Sequence, residues 1–201
     1  MRRIGLTGGI ACGKSTAAAI LKENGIPVID ADAISRSLTA AGGKALPAIR
    51  SSFGDEVFFA DGTLNRKALA AFVFGNPEKL RLLNAILHPL IFSEMDAQEE
   101  QLKKAGATVV AEDIPLLFET GADKRMDLII CISVSREEQI RRLKERDGMS
   151  PEEAAARIDS QMPLSEKEAA SDIVLNTMVP IEQQRERVSL MAQKWKNEEN
   201  A

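Results

Sequence analysis

The chain has 201 residues, 44% hydrophobic and 28% charged, which suits a globular protein with a sizeable core. A formal net charge of −4 gives no general pull toward nucleic acid or an anionic membrane, so any polyanion must be held by a local patch. No apolar run approaches the ~18–20 residues of a membrane span, the apolar stretch after Met1-Arg2-Arg3 is too short for a signal-peptide core, and Cys12 and Cys131 lie far apart. A cytoplasmic chain without a disulfide framework is expected, and no nucleic-acid, membrane or obligate protein partner is evident.

Arg3-Ile4-Gly5-Leu6 reads as a short buried strand. Gly8-Gly9-Ile10-Ala11-Cys12-Gly13-Lys14-Ser15-Thr16 follows and fits G-x-x-x-x-G-K-[ST]. Thr16 to Glu23 is rich in helix formers. Strand, glycine loop and helix together form the context of a phosphate-binding loop. The glycines let backbone N–H groups converge on phosphate oxygens, and the helix start adds unpaired N–H groups and partial positive charge. Lys14 is placed to reach the outer phosphates, and the Ser15 hydroxyl to sit on Mg²⁺.

Gly25-Ile26-Pro27-Val28-Ile29 ends the first helix and begins a second strand, which runs into Asp30-Ala31-Asp32. These acids sit where open α/β sheets bind ligands. Read as extended chain, Asp30 and Asp32 point the same way, one to accept a hydroxyl proton and the other to orient water on Mg²⁺. The plainer alternative has Asp32 capping the next helix.

From about residue 35 to 104 the pattern is helical, broken at Ala41-Gly42-Gly43 and Asp61-Gly62. Helices are expected over Arg66 to Phe74, with Leu69, Phe72 and Val73 on one side, and from Asn76-Pro77 onward past Pro89. An insert this long exceeds a simple crossover and reads as a substrate-binding subdomain.

A third strand, Ala107 to Ala111, ends in Glu112 and Asp113, the latter a possible metal-orienting acid or simply a solvated one. Pro115-Leu116-Leu117-Phe118-Glu119 is an apolar loop, and Leu128 to Val134 a central parallel strand. The stretch that follows carries Arg136, Arg141, Arg142 and Arg146, with Arg142 and Arg146 on one helix face. Such arginines fit a mobile lid over about 138–164 that neutralises a moving phosphoryl group, or else an exposed charged helix paired with Glu137, Glu138 and Glu145. Capping boxes are expected at Ser150 and Ser165, a last strand at Ile173-Val174-Leu175, and a closing amphipathic helix over Glu182 to Asn197. The order, with a helix between the third and fourth strands, predicts an α/β fold: a mainly parallel five-stranded sheet with helices on both faces, its core in 1–34 and 105–201. His88 is the only histidine, so this chain alone offers no metal site built on two or more histidines. It stands as a packed histidine or a substrate contact.

Together these segments resemble the dephospho-coenzyme A kinase family of P-loop kinases. The resemblance rests on Leu6 to Ile10 with Gly13 to Thr16, Val28 to Asp32, Asp61-Gly62-x-Leu64-x-Arg66, Val73-Phe74 and His88-Pro89-x-Ile91. It continues in Pro115 to Glu119, Arg146-Asp147-Gly148 and Arg157-Ile158-x-x-Gln161. It implies a fold similar to nucleoside-monophosphate kinases and transfer of phosphate from ATP to the ribose 3′-hydroxyl of dephospho-CoA. Asp32 looks like the general base. Gly8, Gly9, Ala11, Cys12, Gly13, Lys14, Ser15 and Thr16 look like the ATP cradle, with Ser15 and Asp113 toward Mg²⁺. Arg142 and Arg146 match the lid arginines, while Asp32, Arg66, His88 and Leu116 match the part that receives dephospho-CoA. Two departures stand out. Ala11-Cys12 replaces the family's Gly-Ser, and Asn176-Thr177-Met178 lacks the glycine of the family's Asn-x-Gly near the adenine. A thiol at Cys12, beside a helix start, is expected to have a lowered pKa, to react with alkylating agents and to be shielded by ATP. Readings that stay open are a kinase for a nucleoside or nucleotide, and a nucleotide-dependent switch. The absence of Asn-Lys-x-Asp argues against a GTPase.

Overall fold

A computed structural model describes residues 1–73 and 75–198. It divides into two compact units, Met1–Ile29 with Gln101–Ala201, and Asp30–Glu100.

In the first unit, β1 (Arg2–Gly8) is the middle strand of a sheet ordered β2-β3-β1-β4-β5, with β2 Val28–Asp30, β3 Val109–Asp113, β4 Leu128–Ser133 and β5 Ile173–Asn176. β1 pairs in parallel with β3 and β4, and β4 in parallel with β5. β4 reads as a nearly unbroken apolar run because both of its faces are covered. Ile4, Leu6, Val109, Ala111, Ile130 and Ile132 face one side and join Ile20, Leu21, Val188 and Trp195 in the core. That side receives α1 (Lys14–Glu23) and, from the end of the chain, the Ile181–Glu198 helix, which pack on each other. Gly5 and Thr7 alternate to the other side, where Gly5 lies against Met126 and Leu117 and Thr7 Oγ1 donates to the Pro115 carbonyl.

No helix joins β3 to β4, contrary to the order expected from sequence. Pro115 has no N–H to give, and Gly121 turns left-handed (φ 71°) into a single 3₁₀ turn, Ala122–Arg125. The third strand also begins and ends two residues later than expected.

The second unit opens with α2 (Ala31–Leu38), followed by α3 (Leu46–Phe53), α4 (Arg66–Val73) and α5 (Pro77–Lys104), the last of which runs on into the first unit. The Asn76 side chain accepts from Lys79 N and starts α5 as its Asn-Pro sequence implies. Phe53 and Phe72 meet edge to face with centroids 6.2 Å apart. Of the family segment Val73-Phe74, Phe74 lies outside the described residues.

Back in the first unit come α6 (Arg136–Asp147), α7 (Pro151–Asp159) and α8 (Leu164–Ala169), with the closing Ile181–Glu198 helix as α9. The Ser150 capping box forms in full. The one expected at Ser165 does not. Pro163 takes the N-cap position, Ser165 lies inside α8, and Glu168 instead accepts from Ser133 at the end of β4.

Candidate active site

The glycine loop leaves the carboxyl end of β1. Gly8 (φ 154°) has no room for a Cβ, which would collide with the Ile132 carbonyl oxygen. Gly13, the N-cap of α1, is left-handed (φ 92°). Ala11 is left-handed as well (φ 60°), the one non-glycine residue with positive φ among the described residues. An L-residue there costs roughly 1–2 kcal/mol. The backbone of the loop is gripped from outside. Gln139 Nε2 donates to Ile10 O (2.8 Å), and Ile10 N donates to Gln161 Oε1 (3.1 Å). Arg142 Nη1 donates to Ala11 O (3.1 Å), and Thr177 Oγ1 to Cys12 O (2.8 Å). Among these, Gln139, Arg142 and Thr177 are the donors to loop carbonyls.

Lys14 is the first residue of α1, and its ammonium pairs with Asp113 at the end of β3. Ser15 is exposed one residue on, and Thr16 N closes the turn onto Gly13 O (3.0 Å). Cys12 departs from expectation. Its side chain is 1% exposed within the core, and burial pushes the thiol up to about 11, against smaller lowering by backbone hydrogen bonds with Gly9 and Val134. Desolvation outweighs the helix start, so the reactive-thiolate reading fails. Only the Cys12 backbone is left to serve the loop.

The two arginines expected in a lid part company. Arg142 is half-buried between Glu138 (2.7 Å) and the loop, while Arg146 is turned outward onto neighbouring Asp147 (2.8 Å). Arg136 and Asp159 form a two-pronged pair between α6 and α7, and Arg141 bridges Glu138 and Glu145. Hydrogen bonds from Arg141 and then Arg142 pull the Glu138 carboxyl down to about 2. Leu116 is 41% exposed on the loop after β3. Behind it lies a residue that sequence reasoning missed. Lys167 is completely buried, its ammonium donating to Pro115 O and to Glu119 Oε1, both at 2.8 Å. Glu119 in turn accepts from Met162 N (3.1 Å), which ties the β3 loop to the segment between α7 and α8.

In the second unit, Asp30 and Asp32 are not the matched extended pair. Asp30 is the N-cap of α2, accepting from Ala33 N at 2.8 Å, and Asp32 is an exposed residue of the first helical turn. An aspartate in extended conformation that can reach the amide three residues on starts a helix, so the capping falls to Asp30 and leaves Asp32 unspent. Arg66 is exposed, with Nη2 donating to Arg36 O of α2 (3.1 Å). His88 lies edge-on to Phe92 in α5 (6.4 Å), and burial lowers its pKa.

The dephospho-CoA kinase family model matches residues 2–182. The chain belongs to the dephospho-CoA kinase family. A curated dephospho-CoA kinase of Carboxydothermus hydrogenoformans is 44% identical over 193 residues, covering 96% of this chain and 94% of its own. A crystal structure from Thermus thermophilus superposes with a TM-score of 0.81 at 36% identity, covering 96% of this chain and 97% of its own. A Campylobacter jejuni dephospho-CoA kinase does so at 0.64 and 28%, with the same coverages. The enzyme is therefore a kinase that phosphorylates dephospho-CoA in the final step of coenzyme A biosynthesis, and its sheet is that of the P-loop kinases.

For a dephospho-CoA kinase, the donor set suits a magnesium ion carried in on phosphates. Such an ion needs only one or two protein oxygens, and the Ser15 hydroxyl and Asp113 carboxylate flank Lys14. Among the described residues no cluster of three His, Cys, Asp or Glu offers a self-sufficient metal site. Likewise no helix among them is long and apolar enough to cross a membrane.

Proposed function

We propose that the enzyme transfers the γ-phosphoryl group of ATP to the ribose 3′-hydroxyl of dephospho-CoA by in-line displacement. The 3′-oxygen bonds to the γ-phosphorus, the bond from that phosphorus to the β–γ bridging oxygen breaks, ADP leaves, and Asp32 takes the hydroxyl proton. The observation that carries the reading is the glycine loop itself, with backbone N–H groups and Lys14 gathered at the start of α1 beside Asp113. Lys14 draws charge off the outer phosphates, and nucleotide binding exchanges its Asp113 partner for them. Ser15 and Asp113 hold Mg²⁺, which when bound neutralises the β- and γ-phosphate oxygens. Asp32, two residues past the end of β2 and not used as the cap, keeps a carboxylate for the acceptor. Arg66, His88 and Leu116 receive dephospho-CoA. Arg142 and Arg146, within a lid of about residues 138–164, steady the transferring group.

The test is a coupled ADP-release assay with dephospho-CoA, AMP or a nucleoside as acceptor, with the product read by phosphorus NMR. Rapid turnover with dephospho-CoA alone and a new 3′-phosphomonoester signal is expected. Equal turnover with AMP or nucleosides, phosphate on another hydroxyl, or ATP consumption indifferent to acceptor overturns the proposal.

A further inference from the structure

We propose that Gln139 and Thr177 are positioning residues for nucleotide binding: by holding the Ile10 and Cys12 carbonyls outward, they keep the loop's N–H groups aimed at phosphate. The proposal rests on the loop being the ATP site, as above. In a trans peptide the carbonyl of one residue and the N–H of the next lie in one plane and point in opposite directions. Three successive carbonyls, Ile10, Ala11 and Cys12, accept from Gln139, Arg142 and Thr177. The N–H groups of Ala11 and Gly13 are thereby turned to the opposite side, while Cys12 N closes a turn onto Gly9 O (3.3 Å). Left-handed Ala11 and Gly13 give this stretch the curl of an anion-binding nest. If one of these peptides flipped, it would present a carbonyl oxygen to the phosphates in place of a donor.

Packing does not hold the loop on the α7–α8 side. A cavity of about 470 Å³ lies there, lined in part by Gly9, Gln139, Gln161 and Met162. Hydrogen bonds carry that load. Gln139 is 2% exposed, so water does not readily replace it, and Thr177 is buried as well. Gly9 makes room for the contact, since a Cβ there would lie 2.5 Å from Gln139 Nε2. Because Ile10 O needs a donor, the Gln139 amide nitrogen must face it. Thr177 sits where the family's Asn-x-Gly has its middle residue. Its hydroxyl serves the loop backbone, which the adenine reading of that segment did not anticipate.

The test compares Thr177→Val, which keeps the shape and loses the donor, with Thr177→Ser, which keeps the donor, and adds Gln139→Met. ADP affinity is measured by calorimetry, and KM is measured separately for ATP and for dephospho-CoA, on variants whose circular dichroism matches wild type. Thr177→Val and Gln139→Met are expected to weaken ADP and raise the KM for ATP by about tenfold, with the KM for dephospho-CoA within about twofold and Thr177→Ser close to wild type. Unchanged nucleotide affinity in both donor-less variants overturns the inference, as does an equal loss in Thr177→Ser. Should Thr177→Val fail to fold, Gln139→Met decides alone. A folded wild type that binds neither ADP nor ATP overturns the reading of the loop itself.

Discussion

Lys167 offers the sharpest test of how the loop after β3 is held. Its side chain is fully buried, while its partner Glu119 keeps 25% of its side-chain surface exposed. Removing one member of a buried ion pair costs roughly 3–5 kcal/mol when the other charge is stranded. Here Glu119 retains solvent and the Met162 N–H, and Pro115 O retains the Thr7 hydroxyl. Lys167→Met is therefore expected at or just below that lower limit, about 2–3 kcal/mol. For a chain of this size that lowers the melting temperature by about 4–12 °C. Adding Glu119→Gln removes the stranded charge and should recover about 1–2 kcal/mol of the loss. Urea unfolding of the four members of this cycle, followed by circular dichroism, reads both numbers. Because the pair is largely shielded from solvent, its coupling should persist at about 0.5 M salt. A Lys167→Met loss below about 0.5 kcal/mol, or no coupling to Glu119, would refute the assignment of Lys167 as the anchor of the Pro115–Glu119 loop.

Three further outcomes follow from the same geometry. With its thiol raised by burial, Cys12 should resist iodoacetamide in the native protein at about pH 8, with or without ATP, and react once urea unfolds the chain; rapid native labelling of Cys12 by mass spectrometry would contradict its buried setting. Ala11→Gly relieves the left-handed strain at φ 60° but frees the unfolded chain, leaving a net gain of about 0.5–1 kcal/mol in urea unfolding; a net loss would mean that Ala11 is not strained. Glu138, held near 2 against an ordinary value of 4.5, adds stability that is complete above 4.5 and lost as pH falls toward 2. The stability gap between wild type and Glu138→Gln should accordingly be constant near neutrality and close over that acid range, whereas a gap that stays open at about pH 2 would assign the loss to something other than charge.

Much of the site was legible because its signals are local. Glycine spacing, the adjoining strand and the helix formers after Lys14 all fall within one short segment, and β4 declares itself by an apolar run covered on both faces. That Asp30 rather than Asp32 caps α2 was less legible, since either acid could serve as cap and only the backbone where β2 gives way to α2 decides which amide is in reach. The loop's outer supports were invisible for a different reason. Gln139, Arg142 and Thr177 meet Ile10, Ala11 and Cys12 across 129, 131 and 165 residues of chain. Lys167 sits inside Ser165-Glu166-Lys167-Glu168, which reads as a capping box and gives no sign of burial, yet the fold buries it. Cys12 erred in the opposite direction. Position beside a helix start argued for reactivity, and desolvation reversed it.

The central claim is that Asp32 removes the proton from the acceptor hydroxyl while the glycine loop holds the nucleotide. Acceptor-dependent ADP release by Asp32→Asn, with ATP affinity measured on the same sample, tests it most directly. The account predicts a fall in kcat of about 10²–10⁴-fold with ATP affinity within about threefold of wild type. Near-wild-type turnover by Asp32→Asn would contradict it.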